Sequence, residues 1–321
     1  MKKIAMVTSL LAIFSLLLIA GQGEAQKVRF GSSVFDPTYH LPFIAATEKG
    51  IWKEMDVDVE WVPFRGGAVL NRAVSAGELG MTMAGTTSAI QAIIGGVPQI
   101  MVADVKNVYP SFFYVRADSP LKEPRDLRGT RIGVTGLGGM MHAYARAVTK
   151  SLGLEKEVRF VGAGGVQEQA AALKAGAIES TVTSFSAIVP LRFKGEVREL
   201  LAVADYLPKE WSESPLMART GFASRFPREV VKAMKGYFKA TDFIQANRDW
   251  AVEKMKSALG YVEGLARFMY PKLIYGREGK INPKVVENIV NFLTEYGIVA
   301  KEKVPPIDKI YDNSFAEQAW R

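Results

Sequence analysis

The chain has no cysteine in 321 residues and only two histidines, His40 and His142. The first absence excludes a disulfide framework, thiolate metal sites, a cysteine nucleophile and a lipid-modified cysteine at a processed N-terminus. It also suits an oxidising compartment. The histidines lie far apart, with no HxH or HxxxH spacing, so neither begins a metal site. Ser33, Asp36 and His40 supply triad residue types, but a GxSxG elbow and an oxyanion-hole signature are both missing. Also missing is any long run of like charge. The net charge is +8, of which Lys2 and Lys3 against Glu24 account for +1, and the remaining basic residues are scattered. Nucleic-acid binders cluster such residues in stripes or patches, so no nucleic-acid partner is expected.

What is present begins with a leader. Lys2 and Lys3 precede an apolar run from Ile4 to Ala20, and Gly23 and Ala25 supply the small residues of a cleavage site after Ala25. At about 1.5 Å per helical residue the run reaches ~25 Å, near the lower limit for a membrane span. Residues 1–25 therefore read as a cleaved secretory signal, and the mature chain as periplasmic.

After the leader, strand-like and helix-like phrases alternate. Lys27 to Ser33 reads as a strand, Pro42 to Gly50 as a helix with Pro in its first turn, and Val57 to Phe64 as a second strand. Gly66 to Gly77, Leu79 to Gly85, a helix from Thr86 N-capped by Thr or Ser, and Gln99 to Val105 complete a βαβαβαβ series. This order implies a mostly parallel sheet flanked by helices. The series then restarts at Phe112, with strands at Arg131, Val158, Ile178 and Val197, and turns mainly helical from Pro227. "AVSAGELGMTMAG" (Ala73–Gly85) is echoed by "AALKAGAIESTVTSF" (Ala171–Phe185), with Gly77 and Gly176 at equivalent turns. One helix-turn-strand unit used once in each of two lobes explains the echo.

"FIAATEKGIWKEMDVDVEWV", "IIGGVPQIMVA", "ADSPLKEPRDLRGTRIGV", "AALKAGAIESTV" and "IYDNSFAEQA" follow one another in an order that resembles the SsuA-like family. This family comprises substrate-binding proteins of ABC importers for nitrate, sulfonates, taurine and thiamine-pyrimidine precursors. The chain departs from the family pattern at Gly80, where an acidic residue is usual, and at Asp56, where Gly is frequent. The resemblance implies a type II periplasmic-binding fold of two α/β lobes with the ligand between them. Lobe 1 takes residues 26–110, lobe 2 takes 111–210, and 211–321 hold the second crossover and a helical return to lobe 1. The crossovers fall near Val105–Val115 and Asp205–Thr220. The implied partners of a monomeric chain are a small molecule and an importer permease.

Candidate ligand contacts lie on loops after parallel strands, where open α/β sheets bind ligands. The first loop offers Ser33, Phe35, Asp36, Tyr39 and His40, and the second Phe64 with Arg65, a possible bidentate clamp for an oxyanion. Thr86, Thr87 and Ser88 open a helix whose first amides are expected to be free for a polar group. In the second half, Thr135, Gly138, Gly139 and Met140 form a glycine loop, and Ser184 and Phe185 end the echoed strand. The glycine loop lacks the third glycine and the ribose-binding acid of a dinucleotide site, so no cofactor is expected. These residues predict binding of a sulfonate, carboxylate or pyrimidine-like solute by lobe closure, without catalysis. The alternatives are a dehydratase-like enzyme on the same fold and a binding protein serving a sensor or a non-ABC transporter.

Overall fold

The computed structural model describes residues 26–33, 37–64, 67–105, 111–273, 275–276 and 279–320. The expected leader and the candidate residues Phe35, Asp36 and Arg65 fall outside these ranges. Among the described residues no helix is long and apolar enough to cross a membrane.

The chain runs β1 (Val28–Ser32), α1 (Pro37–Glu48), α2 (Ile51–Glu54), β2 (Val59–Pro63), α3 (Gly67–Ser75), β3 (Met81–Met83), α4 (Thr86–Ile94) and β4 (Gln99–Asp104). It continues through β5 (Ser111–Arg116), β6 (Arg131–Val134), α5 (Met140–Ser151), β7 (Arg159–Gly162), α6 (Val166–Lys174), β8 (Ser180–Ser184), α7 (Phe185–Phe193) and β9 (Val197–Ala202). The return comprises β10 (Pro215–Arg219), α8 (Thr220–Arg225), α9 (Pro227–Ala246), α10 (Arg248–Ser257), α11 (Glu263–Met269), α12 (Pro283–Glu295) and α13 (Ser314–Ala319).

Two five-stranded sheets result, ordered β2-β1-β3-β10-β4 and β7-β6-β8-β5-β9. They have the same plan. In each, three parallel strands end on one antiparallel strand, which separates them from an edge strand. The antiparallel member is always the first strand laid down after the chain changes lobes: β5 on entering the second sheet, β10 on returning to the first. Both also shift register near their middle against the edge strand, at Leu216/Met217 and at Phe113/Tyr114. The fold is thus the expected two-lobed α/β type, but each sheet is more mixed than a βαβ series alone implies.

The echoed phrases sit at equivalent points. Gly77 (φ 81°) and Gly176 (φ 68°) end α3 and α6 in the left-handed region that favours glycine. The following amides bond back identically, Glu78 N–H to the Ala73 carbonyl (3.0 Å) and Ala177 N–H to the Ala172 carbonyl (2.9 Å). Each turn then feeds a central strand, β3 or β8.

Several local expectations are corrected. α1 starts at Pro37, so Pro42 is interior rather than in the first turn. α4 is N-capped by Gly85, and no Thr or Ser side chain bonds back to its first amides. α7 and β10 went unread: α7 contains Pro190 and lacks a one-sided apolar pattern, and β10 is a short strand inside the expected second crossover. The helical return is not confined to lobe 1. α12 packs Val285 and Ile289 against α4, while Phe292 joins the core of the second sheet beside Tyr144, 5.5 Å between ring centroids.

The two departures from the family pattern have local causes. Asp56 occupies the left-handed region at φ 50°, where glycine is the easiest residue and Asp is tolerated. Its carboxylate accepts from Lys232 Nζ at 2.6 Å, which holds the acid below its ordinary range. At Gly80 a β-carbon would stand 3.0 Å from the Phe222 ring, so no acidic side chain fits while Phe222 packs there.

Candidate functional site

Parallel strands β1, β2 and β3 end on one edge of the first sheet, and β6, β7 and β8 on one edge of the second. The candidate loops follow these ends. Because β10 runs antiparallel, its first residues lie at the same edge as the ends of β3 and β4, with Leu216 opposite Met83 and Pro215 opposite Asp104. The segment Trp211–Ser214 therefore belongs to the candidate site, although the sequence marked it only as a crossover.

The structure separates the sequence candidates into those with core roles and those at the lobe edges. His40 is fully buried and packs against Trp61 at 4.4 Å, so it is a core residue rather than a cleft contact. Phe64 packs into the cluster of Leu70, Ala73 and Val74, and its ring would sit 3.2 Å from a β-carbon at Gly31. Phe185 is buried between Phe112 and Phe268, each 6.4 Å away, and Lys272 Nζ lies 5.3 Å from its ring centroid. Tyr39 is also buried, but its hydroxyl accepts from Ser214 Oγ at 2.9 Å and so reaches the lobe edge. The Ser33 amide bonds the Met83 carbonyl at 3.2 Å, and Ser184 is half-buried at the end of β8. Ser88, Thr135, Gly138 and Gly139 are exposed, and Met140 is half-buried against both the α5 and the α12 clusters.

At α4 the first amide is not free. The Thr86 N–H donates to the Glu213 carbonyl at 3.1 Å. Ser212 Oγ donates to Asp104 Oδ1 at 2.6 Å, and Thr86 Oγ1 lies 3.3 Å from the same serine oxygen. With the Ser212 proton committed to the carboxylate, Thr86 is the donor of that second contact. These bonds fasten the second crossover to the ends of β3 and β4.

The lobes meet at several places, Phe185 against Phe268 among them and the surroundings of Tyr144 another. The Tyr144 phenol, on α5, comes near Thr87 on α4, and Trp211 lies edge-on to its ring at 6.4 Å. Burial, and then the nearby Glu213 carboxyl, raise the phenol's pKa, while Thr87 and Trp211 act in the opposite sense. Glu213 forms no ion pair or hydrogen bond through its carboxyl with any described residue, and desolvation pushes it up to about 8. Uncompensated burial of a carboxylate favours its neutral form. Tyr144, Trp211 and Glu213 were missed because their meeting depends on α5 and the second crossover, which nothing local in the sequence brings together.

The glycine loop uses one of its own amides. Gly138 N–H donates to His142 Nδ1 at 2.9 Å, which makes Nε2 the protonated nitrogen of the neutral ring. Partial burial, and then Arg146, hold the His142 pKa below its ordinary value. A depressed histidine pKa means that the interaction is complete above the unfolded value and is lost as pH falls through the folded one. Protonation replaces the Nδ1 acceptor by a donor facing Gly138. The Gly138 amide is therefore expected to lose hydrogen-exchange protection on acidification below the ordinary histidine range. In His142→Ala it should exchange quickly at every pH; unchanged protection in that variant would remove the cap from the account.

Among the described residues no group of three His, Cys, Asp or Glu is placed to hold a metal. The NMT1/THI5-like family model matches residues 37–251. No curated protein sequence matches the chain. Among solved structures, the aliphatic sulphonate binding protein SsuA from Escherichia coli superposes with a TM-score of 0.77 at 15% identity, covering 90% of this chain and 93% of that one. The sulfonate-binding protein SsuA from Methylobacillus flagellatus KT gives 0.74 at 17%, covering 92% and 94%. The nitrate-binding protein NrtA from Synechocystis PCC 6803 gives 0.66 at 16%, covering 92% and 88%.

Proposed function

The chain belongs to the NMT1/THI5-like family, and on that premise we propose that it is a periplasmic solute-binding protein that delivers a small molecule to an ABC importer. The observation that supports this reading is the shared plan of the two sheets: in each, a crossover strand enters at the edge where the parallel strands end, Ser111 opposite Ser184 and Leu216 opposite Met83. Such an edge binds solutes in open α/β sheets. Solute that touches both lobes favours the closed arrangement by its differential affinity for it. Hydroxyls, backbone amides, a phenol, an indole and a carboxyl are the groups the described residues bring to these strand ends, and such groups suit the binding of a polar solute. Residues 1–25 serve as the leader and are removed after Ala25. The bound solute carries an acidic group or a heteroaromatic ring, as a sulfonate, a carboxylate or a pyrimidine does, and the chain works as a monomer.

The test is a thermal-shift screen of residues 26–321 against sulfonates, carboxylates and pyrimidines, followed by small-angle scattering with each binder. A binder should raise the melting temperature in a concentration-dependent manner and lower the radius of gyration. Catalytic turnover of the binder, or a radius unchanged at saturation, would overturn the reading.

A further inference from the structure

The parallel strands of the first sheet begin at the edge opposite to the strand-end loops, and this far edge holds a cavity of about 430 Å³. Three segments build it: the start of β1, the turn between α3 and β3, and the end of β10, where Arg219 stands opposite Gln99, the first residue of β4. Backbone bonds lock the three together. The Gly80 N–H donates to the Arg29 carbonyl and the Arg219 N–H to the Gly80 carbonyl, both at 2.9 Å. Gly80 adds no side chain, and the Phe222 ring packs beside it.

Four cationic side chains line the cavity: Lys27, Arg29, Arg219 and Arg225. One turn positions two of them. Arg29 Nη1 donates to the Glu78 carbonyl at 3.0 Å, and Arg219 Nε donates to the next carbonyl, that of Leu79, at 3.1 Å. Both arginines are half-buried. Among the described residues neither Arg219 nor Arg225 has a carboxylate partner, and the Arg225 guanidinium lies 5.1 Å from the Phe226 ring centroid. The ion pairs of the other two are long: Arg29 Nε to Glu60 at 3.6 Å, and Lys27 Nζ to Asp58 at 3.7 Å and Glu60 at 4.0 Å. Such exposed pairs contribute little. The acid of the lining is Glu78, which forms no ion pair among the described residues. The cations outnumber the carboxylates even when Asp58 and Glu60, which do not line the cavity, are counted with it.

Fixed guanidiniums with unneutralised charge around a cavity suit an oxyanion. A singly charged sulfonate or carboxylate balances one of them. A phosphate monoester carries about 1.5 to 2 negative charges near pH 7 and three terminal oxygens, enough to be shared by Arg29, Arg219 and Arg225. We propose that this pole of lobe 1 is a binding site for a phosphate monoester group, borne by a soluble molecule or by a lipid headgroup. Gln26 also borders the cavity, so the expected leader joins the chain at this pole, which brings a lipid source into question beside a soluble one. The site is independent of the solute-binding reading, because it lies on the opposite edge of the sheet from the loops that reading uses.

The test titrates inorganic phosphate, glycerol 3-phosphate and methanesulfonate by calorimetry, at low ionic strength, into the wild type, Arg225→Gln and Arg219→Gln/Arg225→Gln. The same proteins are floated with phosphatidylcholine vesicles with and without phosphatidic acid. Arg225 is exposed and forms no hydrogen bond among the described residues, so its variant should fold. The double variant also loses the bond to Leu79; if its melting curve shows a loss of fold, the single variant decides. Phosphate or its ester should bind the wild type ten-fold or more tightly than methanesulfonate, about ten-fold more weakly in Arg225→Gln, and below detection in the double variant. That pattern assigns the site to a soluble ligand. Flotation with phosphatidic acid alone, weakened in the same order, assigns it to a headgroup. Binding that the variants retain in full lies elsewhere in the molecule and overturns the proposal. Methanesulfonate bound as tightly as phosphate, or a wild type that neither binds phosphate nor floats, overturns it as well. None of these results touches the solute-binding reading.

Discussion

Glu213→Gln is expected to stabilise the protein above neutral pH and to leave it unchanged near pH 5. The wild-type carboxyl titrates near 8 in the folded state against an ordinary 4.5, because it is desolvated without a partner. A folded pKa above the unfolded one gives stability that is full below the unfolded value and lost as pH rises through the folded value. Between pH 5 and 9 the wild type should therefore fall steadily behind the variant. One pKa unit corresponds to 1.36 kcal/mol, so even after allowance for partial solvent access the gap at pH 9 is on the order of 3 kcal/mol. For a chain of this size that is roughly 5 °C in melting temperature. Paired melting curves across pH 5–9 give the answer directly. Parallel curves would mean that the carboxyl is solvated or paired, and Glu213 would lose its special status.

Tyr144 should be the most costly single side chain at the lobe contact. It is 3% exposed, and its ring packs against Phe292 of α12 at 5.5 Å and Trp211 at 6.4 Å. Truncation to Ala empties a site shared by α5, α12 and the second crossover, three elements that cannot all collapse into it. Such large-to-small changes cost about 3–5 kcal/mol. Tyr144→Phe keeps the ring and removes only the hydroxyl, which costs about 1 kcal/mol. Urea unfolding of the two variants separates packing from polar contact. Equal losses would show that the hydroxyl dominates, and small losses in both would show that the lobes do not depend on this contact.

The two predictions concern residues that the sequence did not single out, and the reason is physical. The parallel half of each sheet was legible because glycines at 77 and 176 stop α3 and α6 in a conformation that Gly adopts most easily, and short apolar strands follow. Those are local signals. β10 begins with Pro215 after a Ser-Glu-Ser run, which reads as a connection; it is a strand only because β3 and β4 stand on either side of it. Missing β10 hid Glu213, which matters through its place at the end of that strand. Likewise α7 is apolar on several faces because it is packed from both lobes, so its period carries little information. The glycine loop at 135–140 was visible from its composition. That His142 caps it was not, since Nδ1 and Nε2 are equivalent in a one-letter code.

The exchange of strands between the lobes has a consequence for how the molecule comes to be. Sheet two draws all its strands from residues 111–202, whereas sheet one waits for residues 215–219 to separate β3 from β4. A chain that emerges amino-end first therefore has every strand of its second sheet before its first sheet is complete. Until β10 arrives, β3 and β4 lack the partner that satisfies their inner edges, and α9 and α12 are not there to cover the sheet. Unpaired strand edges and exposed apolar surface are what make partly formed chains associate wrongly. The early part of this chain must stay open and unaggregated while the later part folds, and the last helices to appear are the ones that seal the first strands made.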